Sequence, residues 1–450
     1  MSDVYGSVLP STIRNLKVTV TSYIGTEYVI TENVSELSIF ESIYSPFLYG
    51  RMIIADNSAM LSIFPFYGQE KLSIEFERDD EKQFVRNFYI NNVFDISRVD
   101  NNVGGYGLSF TSEKQMVNAG CLFSRSYIDK GEEIIRMIYD DFFWGIQDRP
   151  LSIETRTKGS YSINFPYIKP LAAISMITNA VLAMDNSPMF LYETLYGDFT
   201  RLRSYREMYS KKPIPGLIVR EQTVATKARR GENETFRSSV YNFKSNSAYH
   251  TLNLLSSGHL GGTVTAVDIS RKRGAMRAFS FIDDAPSAGR VGGQEWVTDK
   301  FKIPLPSGQR QAHAIPSTIN TLNMQNAHGH MGGSISTSPD LDRMIHGSLM
   351  ERMSTIALSI YMDSVTSIEA GKTIEVEVPR FSPKLEGEDD NKDYVNSGKY
   401  LISSVRHYIK NGEYSISLEC IRDSHGSDAT LNALSYSGKA QVPQMVDTRD

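Results

Sequence analysis

Cysteine is scarce: the 450 residues hold two, Cys121 and Cys420. Two thiols flanked by apolar residues make neither a disulfide framework nor a zinc site, and each reads as a buried, inert thiol. Positive charge is not in excess. Lys and Arg total 47 against 52 Asp and Glu, for a formal net charge of −5. That balance leaves no electrostatic footprint for a dedicated nucleic-acid binder. No apolar run approaches the roughly 18 residues of a transmembrane helix. The opening text MSDVYGSVLPSTIRN lacks the apolar stretch of a secretory signal, so folding in a cytoplasm is expected. No HExxH helix and no GxSxG elbow occurs.

What is present is an ordinary globular composition, 40% hydrophobic and 22% charged, long enough for about three domains. The 24 Tyr and 21 Phe sit mostly in alternating runs with Val, Ile and Thr, the pattern of half-buried strands. LKVTVTSY from Leu16, SELSIFESIY, LYGRMIIAD, EKLSIEFE, FVRNFYINNVFDISRV and YGLSFTS predict a compact β unit ending near Ser112. NSAMLSIFP inside it reads as one short helix with Asn57 as its cap. The text then changes period. GEEIIRMIYDDFF places Ile134, Ile135, Ile138 and Phe142 on one helical face, and the stretch 170–184 does the same with Leu171, Ile174, Ile177 and Val181, opened by Pro170. PMFLYETLYGDFTRLRS reads as a hairpin turning at Gly197 and Asp198. Strands return from Tyr241, interrupted by an irregular Gly/Ser/Pro-rich stretch over 284–339. So long a loop inside a domain usually serves a partner or a function. A helix, DLDRMIHGSLMERM, and the strands STIALSIYMD, KTIEVEVP and GKYLISSVRHYIKNGEYSISLECIRDS complete the chain before an extended tail from His425.

The two β regions overlay. LSIEF at 72–76 alternates as IEVEV does at 374–378. FYINNVFDI at 88–96 parallels YLISSVRHYI from Tyr400, and YGLSF at 106–110 parallels YSISL at 414–418. Three matches in one order indicate two copies of one β-barrel. Two similar barrels per chain let a three-chain ring present six similar units, a symmetry device that needs no catalytic residue.

Four chemical leads lose to plainer readings. GKT at 371–373 has Thr366 where a phosphate-binding loop needs its first glycine, and it opens no helix. Asp389, Asn391 and Asp393 have calcium-loop spacing, but Tyr394 and Tyr400 stand where the glycine and the final Glu belong. His328 and His330, with His313 and His346 nearby, lack the fixed spacing of a metal site. KARRG and RKRG read as solvated basic faces. No catalytic, cofactor-binding or metal-ligating residue is nominated, and no cofactor is expected.

Four stretches together resemble the baseplate hub proteins of contractile-tailed bacteriophages, and the hub half of type VI secretion spike proteins. They are GKYLISSVRHYIKNGEYSISLECIRDS at 398–424, with Ser397 before it, and TKGSYSINFPYIKPLAAISMITNAV with the following SPMFLYETLYGDFTRLRS. The other two are FSRSYIDKGEEIIRMI and SIFESIYSPFLYGRMIIAD. The stretch 284–339 departs from the family pattern.

The resemblance implies a mainly β fold with α+β character: two tail-tube-like β-barrel domains flanking a mixed α/β middle region. The expected division is 1–112 for the first barrel, 113–240 for the middle domain, 241–340 for a β segment with the long loop, 341–424 for the second barrel and 425–450 for the tail. It implies a structural, non-enzymatic homotrimer in the virion baseplate, assembled in the host cytoplasm. Its partners would be the hexameric tail tube protein, the central spike protein, the tape measure protein and baseplate wedge proteins. DNA would pass through the lumen without sequence-specific binding. With only a short tail after Ser424, the spike is expected to be a separate polypeptide. The alternatives are a tail-associated peptidoglycan hydrolase, or another ring component of a phage tail or contractile injection particle.

Overall fold

A computed structural model describes residues 14–57, 60–64, 66–77, 83–100, 103–146, 149–214, 218–221, 239–245, 261–268, 273–280, 303–304, 310–311, 317–322, 328–329, 338–363, 368–378, 393, 396–410 and 413–424. The fold is mainly β with a smaller α+β part.

The first unit contains β1 (Arg14–Thr21), β2 (Glu27–Val29), β3 (Val34–Ser42), β4 (Tyr49–Asp56), the one-turn helix α1 (Met60–Ile63), β5 (Lys71–Glu77), β6 (Gln83–Asp100) and β7 (Val103–Thr111). Period-two burial builds it: Val18, Val20, Met52, Ile54, Leu72, Ile74, Phe88, Ile90, Leu108 and Phe110 all point into one core. The cap of α1 differs from expectation. The Asp56 carboxylate, not Asn57, accepts the Leu61 amide at 3.3 Å.

The middle unit follows with α2 (Glu113–Gly120), β8 (Phe123–Lys130), α3 (Gly131–Phe143), β9 (Leu151–Ile153), β10 (Ser160–Ile168), α4 (Pro170–Ala180), β11 (Met189–Tyr192), β12 (Thr200–Ser204) and α5 (Tyr205–Ser210). β11 and β12 form the expected hairpin. A separate apolar core lies between α3, α4 and these short sheets. Ile134, Ile135 and Ile138 are fully buried, and Phe143 rather than Phe142 closes the stripe. α4 stops at Ala180, shorter than its apolar text, because Val181 turns extended while remaining buried. α5 has a Ser-x-x-Glu start, in which Ser204 Oγ accepts the Glu207 amide at 3.2 Å.

The last part holds β13 (Ile218–Glu221), β14 (Ser239–Ser245), the hairpin β15 (Gly261–Asp268) and β16 (Arg273–Ser280), then β17 (Ile303–Pro304), β18 (Arg310–Gln311), β19 (Ser317–Leu322) and β20 (His328–Gly329). Helix α6 (Ser338–Met353) and strands β21 (Ile356–Asp363), β22 (Thr373–Glu377), β23 (Gly398–Lys410) and β24 (Glu413–Arg422) complete it. The stretch expected to be irregular thus carries four short strands. One of them, β20, adds to the edge of β10 in the middle unit.

Strands β23, β22, β13, β14, β21 and β24 pair in that order, and β24 returns to β23, so this sheet closes on itself. In the first unit the order is β1, β5, β6, β7, β4, β3. Reading β1, β3, β4, β5, β6 and β7 as the counterparts of β13, β14, β21, β22, β23 and β24 makes the two orders identical. β13 alone runs in the opposite sense to its counterpart: it is parallel to β22, whereas β1 is antiparallel to β5. Among the described residues the first sheet has no β1–β3 pair. The turn after β2 bridges that gap, with Ile30 donating to the Val18 carbonyl and Val18 donating to Thr31 Oγ1, both at 2.9 Å.

Register agrees as well as order. Leu72 faces Phe88 as Ile374 faces Tyr400. A one-residue bulge sits after Ile90 in β6 and after Ile402 in β23. Val93 opposes Leu108 as Val405 opposes Leu418. The ladder therefore sets Leu108, not Phe110, in the place of Leu418. An even shift keeps every side chain on its face, so the sequence overlay could not register it.

Candidate functional site

The two sheets meet edge to edge. β3 pairs antiparallel with β23, Ser42 opposite Ser404 through Glu36 opposite Lys410. On one face of the seam, Ser42 and Ser404 share a hydroxyl hydrogen bond at 2.9 Å. Arg406 donates to Ser38 Oγ at 3.0 and 3.2 Å, and its guanidinium lies over the rings of Phe40 and Tyr408. At the rim Lys410 donates to Glu36 at 2.6 Å, a contact that holds the Glu36 carboxyl below its ordinary range.

The other face is buried. Glu41 is on the inward parity of β3, after Leu37 and Ile39. Its carboxylate accepts the Leu195 amide at 2.5 Å and the Ala370 amide at 2.7 Å, and lies 3.6 Å from His407 Nε2 on β23. His407 Nδ1 is 2.6 Å from the Tyr414 hydroxyl, which is 2.9 Å from that of Tyr196. One carboxylate thus ties the first sheet to the 193–197 turn of the middle unit and to the turn leading into β22.

A second buried cluster ties together the elements of the middle unit. Glu193, just past β11, receives Lys114 and Thr200 on one oxygen and Arg149 on the other, the last at 3.2 Å. Tyr139 donates to the Arg149 carbonyl at 2.7 Å. Burial pushes the Glu193 carboxyl up, but Lys114 and Arg149 overrule it and hold it below the ordinary carboxylate range. Beside the cluster a cleft of about 240 Å³ is lined by Lys71, Arg86, Lys114 and Arg149, with Glu113 and Glu193. Arg86 reaches across to the Leu195 carbonyl at 2.5 and 3.0 Å and to the Gly197 carbonyl at 2.8 Å. These charges act as clamps between elements. Each gains several charge-assisted hydrogen bonds that offset part of the cost of burial.

The motifs weighed in the sequence fall elsewhere. Gly371 has φ +79°, and a Cβ there would lie 2.3 Å from the Tyr192 hydroxyl, so this glycine serves a turn and a close packing contact. Lys372 pairs with Glu369 at 2.8 Å. Asp393 accepts the Asn396 amide at 3.2 Å and shapes the turn before β23, while Asp389 and Asn391 lie outside the described residues. His328 is in β20 opposite Ile163. His346 is buried on α6, its imidazole pushed down to about 4 by desolvation, and His313 and His330 lie outside the described residues. The basic text 227–231 lies outside as well, as do Arg271 and Lys272; Arg273 and Gly274 begin β16. Cys420 is buried and its thiol is pushed up by desolvation, whereas Cys121 is half-buried. Among the described residues no group of three His, Cys, Asp or Glu could hold a metal ion.

Glu41, Lys114, Arg149 and Glu193 were not singled out in the sequence. Only Glu41 carried a readable signal, an acid at an inward position of an alternating strand.

No family model matches the chain, and no curated protein matches it. Among solved structures it is similar to a tail protein from Neisseria meningitidis MC58, at 10% identity over 91% of this chain and 97% of that one, with a TM-score of 0.48. It is also similar to the 43 kDa tail protein of prophage MuSo2 from Shewanella oneidensis, at 8% identity over 91% and 99%, with a TM-score of 0.49. A third is a type VI secretion component from E. coli, at 9% identity over 92% and 76%, with a TM-score of 0.44.

Proposed function

We propose that the protein is the structural baseplate hub of a contractile phage tail. Three copies would form a ring that adapts the sixfold tail tube to the threefold central spike. The observation that carries this reading is the pair of sheets with one strand order and one register, joined side by side within one chain. A subunit with two quasi-equivalent barrels gives a trimer six similar faces. In this division 1–112 is one barrel unit and 341–424 supplies four strands of the other, completed by β13 and β14. The tube protein would stack on one face of the ring and the spike on the other. The lumen would pass the tape measure protein and then DNA, and wedge proteins would surround the ring. No enzymatic step is assigned, because the buried charges are spent on clamping.

The test is the mass of the assembled species. A particle of three 50.5 kDa chains, alone or bound to a spike trimer, is expected. Six chains per ring would make the protein a tube component instead. Clearing of peptidoglycan in a zymogram by the purified chain would replace the structural reading with a hydrolase.

A further inference from the structure

Seven residues of β23, 404–410, pair with β3 on the side away from β24. Just before the bulge that side of β23 holds β22. β6 repeats this layout halfway. Residues up to Tyr89 hold β5 and a bulge follows at the equivalent place. Beyond it, no strand lies beside 92–98 on that side among the described residues. The counterpart of β3 is β14. β13 covers β14 only at Ser239 and Val240, and among the described residues no strand covers the rest of that edge. The chain thus contains one finished junction and the two unmatched halves of a second.

We infer that β14 of one copy pairs antiparallel with the 96–100 end of β6 in the next copy, repeating between chains the part of the junction that 36–39 and 407–410 make within a chain. The inference rests on the ring reading and names its contact. The register follows from the ladders. Ser38 corresponds to Lys244, since Arg51 and Ser359 opposite them are equivalent. Tyr408 corresponds to Ser97, opposite Ser415 and Gly105. Ser38 faces Tyr408 within the chain, so Lys244 of one copy should face Ser97 of the next.

The surfaces suit such a partner. Ile96 is 67% exposed on the open edge, an exposed hydrophobe on an unpaired strand that a soluble protein normally covers. Asp95 and Lys244 are exposed, and the register brings them within two positions of each other. The finished junction places Glu36 and Lys410 across from each other in the same manner.

The test is a cross-link in the full chain carrying Lys244→Cys and Ser97→Cys, with half-buried Cys121 changed to Ser and buried Cys420 left in place. Facing residues have Cβ atoms about 5 Å apart, so a short bismaleimide should link chains into dimers and trimers and no larger species. Either single-cysteine variant should stay unlinked. Ile96→Asp gives a second reading: with an unchanged circular dichroism spectrum, its trimer should dissociate at a concentration at least about tenfold higher. Trimers that form without the cross-link, or that Ile96→Asp leaves equally tight, would overturn this junction while leaving the ring intact. A chain that stays monomeric at every concentration would overturn both, and a ladder beyond three would show that the contact does not close.

Discussion

A charged side chain that is almost wholly buried reports a choice made by the fold. Glu193 answers two cations at once, so removing it strands both Lys114 and Arg149 away from water. Glu193→Ala is expected to cost about 3 to 5 kcal/mol, read by urea denaturation. Gly371→Ala forces a side chain into a left-handed backbone and against Tyr192; a loss of at least about 1 kcal/mol is expected, measured the same way. His346 gives the pH dependence its sign. Its folded value of about 4 lies below the ordinary 6.5, so the unfolded chain takes up a proton that the folded chain refuses. Stability should fall as pH drops from about 6.5 to about 4, by at most about 3 kcal/mol, and His346→Gln should flatten that part of the profile. Equal slopes in both proteins would count against a neutral, buried imidazole.

At the scale of elements, strand text was the most legible part of the chain. Leu72, Ile74 and Phe76, or Ile374, Val376 and Val378, alternate because one face of each strand meets the core. Their equivalence could be written down before any coordinates. The third strand pair slipped by two residues because Tyr106 and Tyr414 look alike, whereas the bulges in β6 and β23 fix the ladder at Leu108 and Leu418. α4 was read too long because Val181, Leu182 and Ala183 are buried on all sides, which hides the end of a helical stripe. Three of the strands within 284–339, β17, β18 and β20, were illegible because runs of two residues have no period. Nor could the clamp at Glu193 be read, because its partners lie 79 and 44 positions away. At the seam, Glu41→Ala should leave the Leu195 and Ala370 amides unsatisfied and lower stability by about 2 to 4 kcal/mol. Differential hydrogen exchange should localise the loss to the turns at 193–197 and 369–371.

At the scale of the whole molecule, two sheets with one plan are joined in one chain, and in the proposed ring such a subunit would be half as numerous as a single tube element. The middle unit, with its own apolar core, is anchored to this double sheet by Arg86 and Glu41. The proposed place between a tube and a spike would need such anchoring, since a loosely tethered middle unit would yield first. Titrating salt should weaken the exposed Lys410–Glu36 contact while the buried clamps persist, so chain stability read by urea denaturation should change little between low and high salt.

β3 and β23 belong to a single polypeptide, so in the proposed collar half of the junctions would be complete once each chain has folded. Three junctions between molecules would remain, made in two association events, and only those events would carry the translational and rotational entropy loss of association. Covalent connection would therefore lower the protein concentration at which such a collar closes.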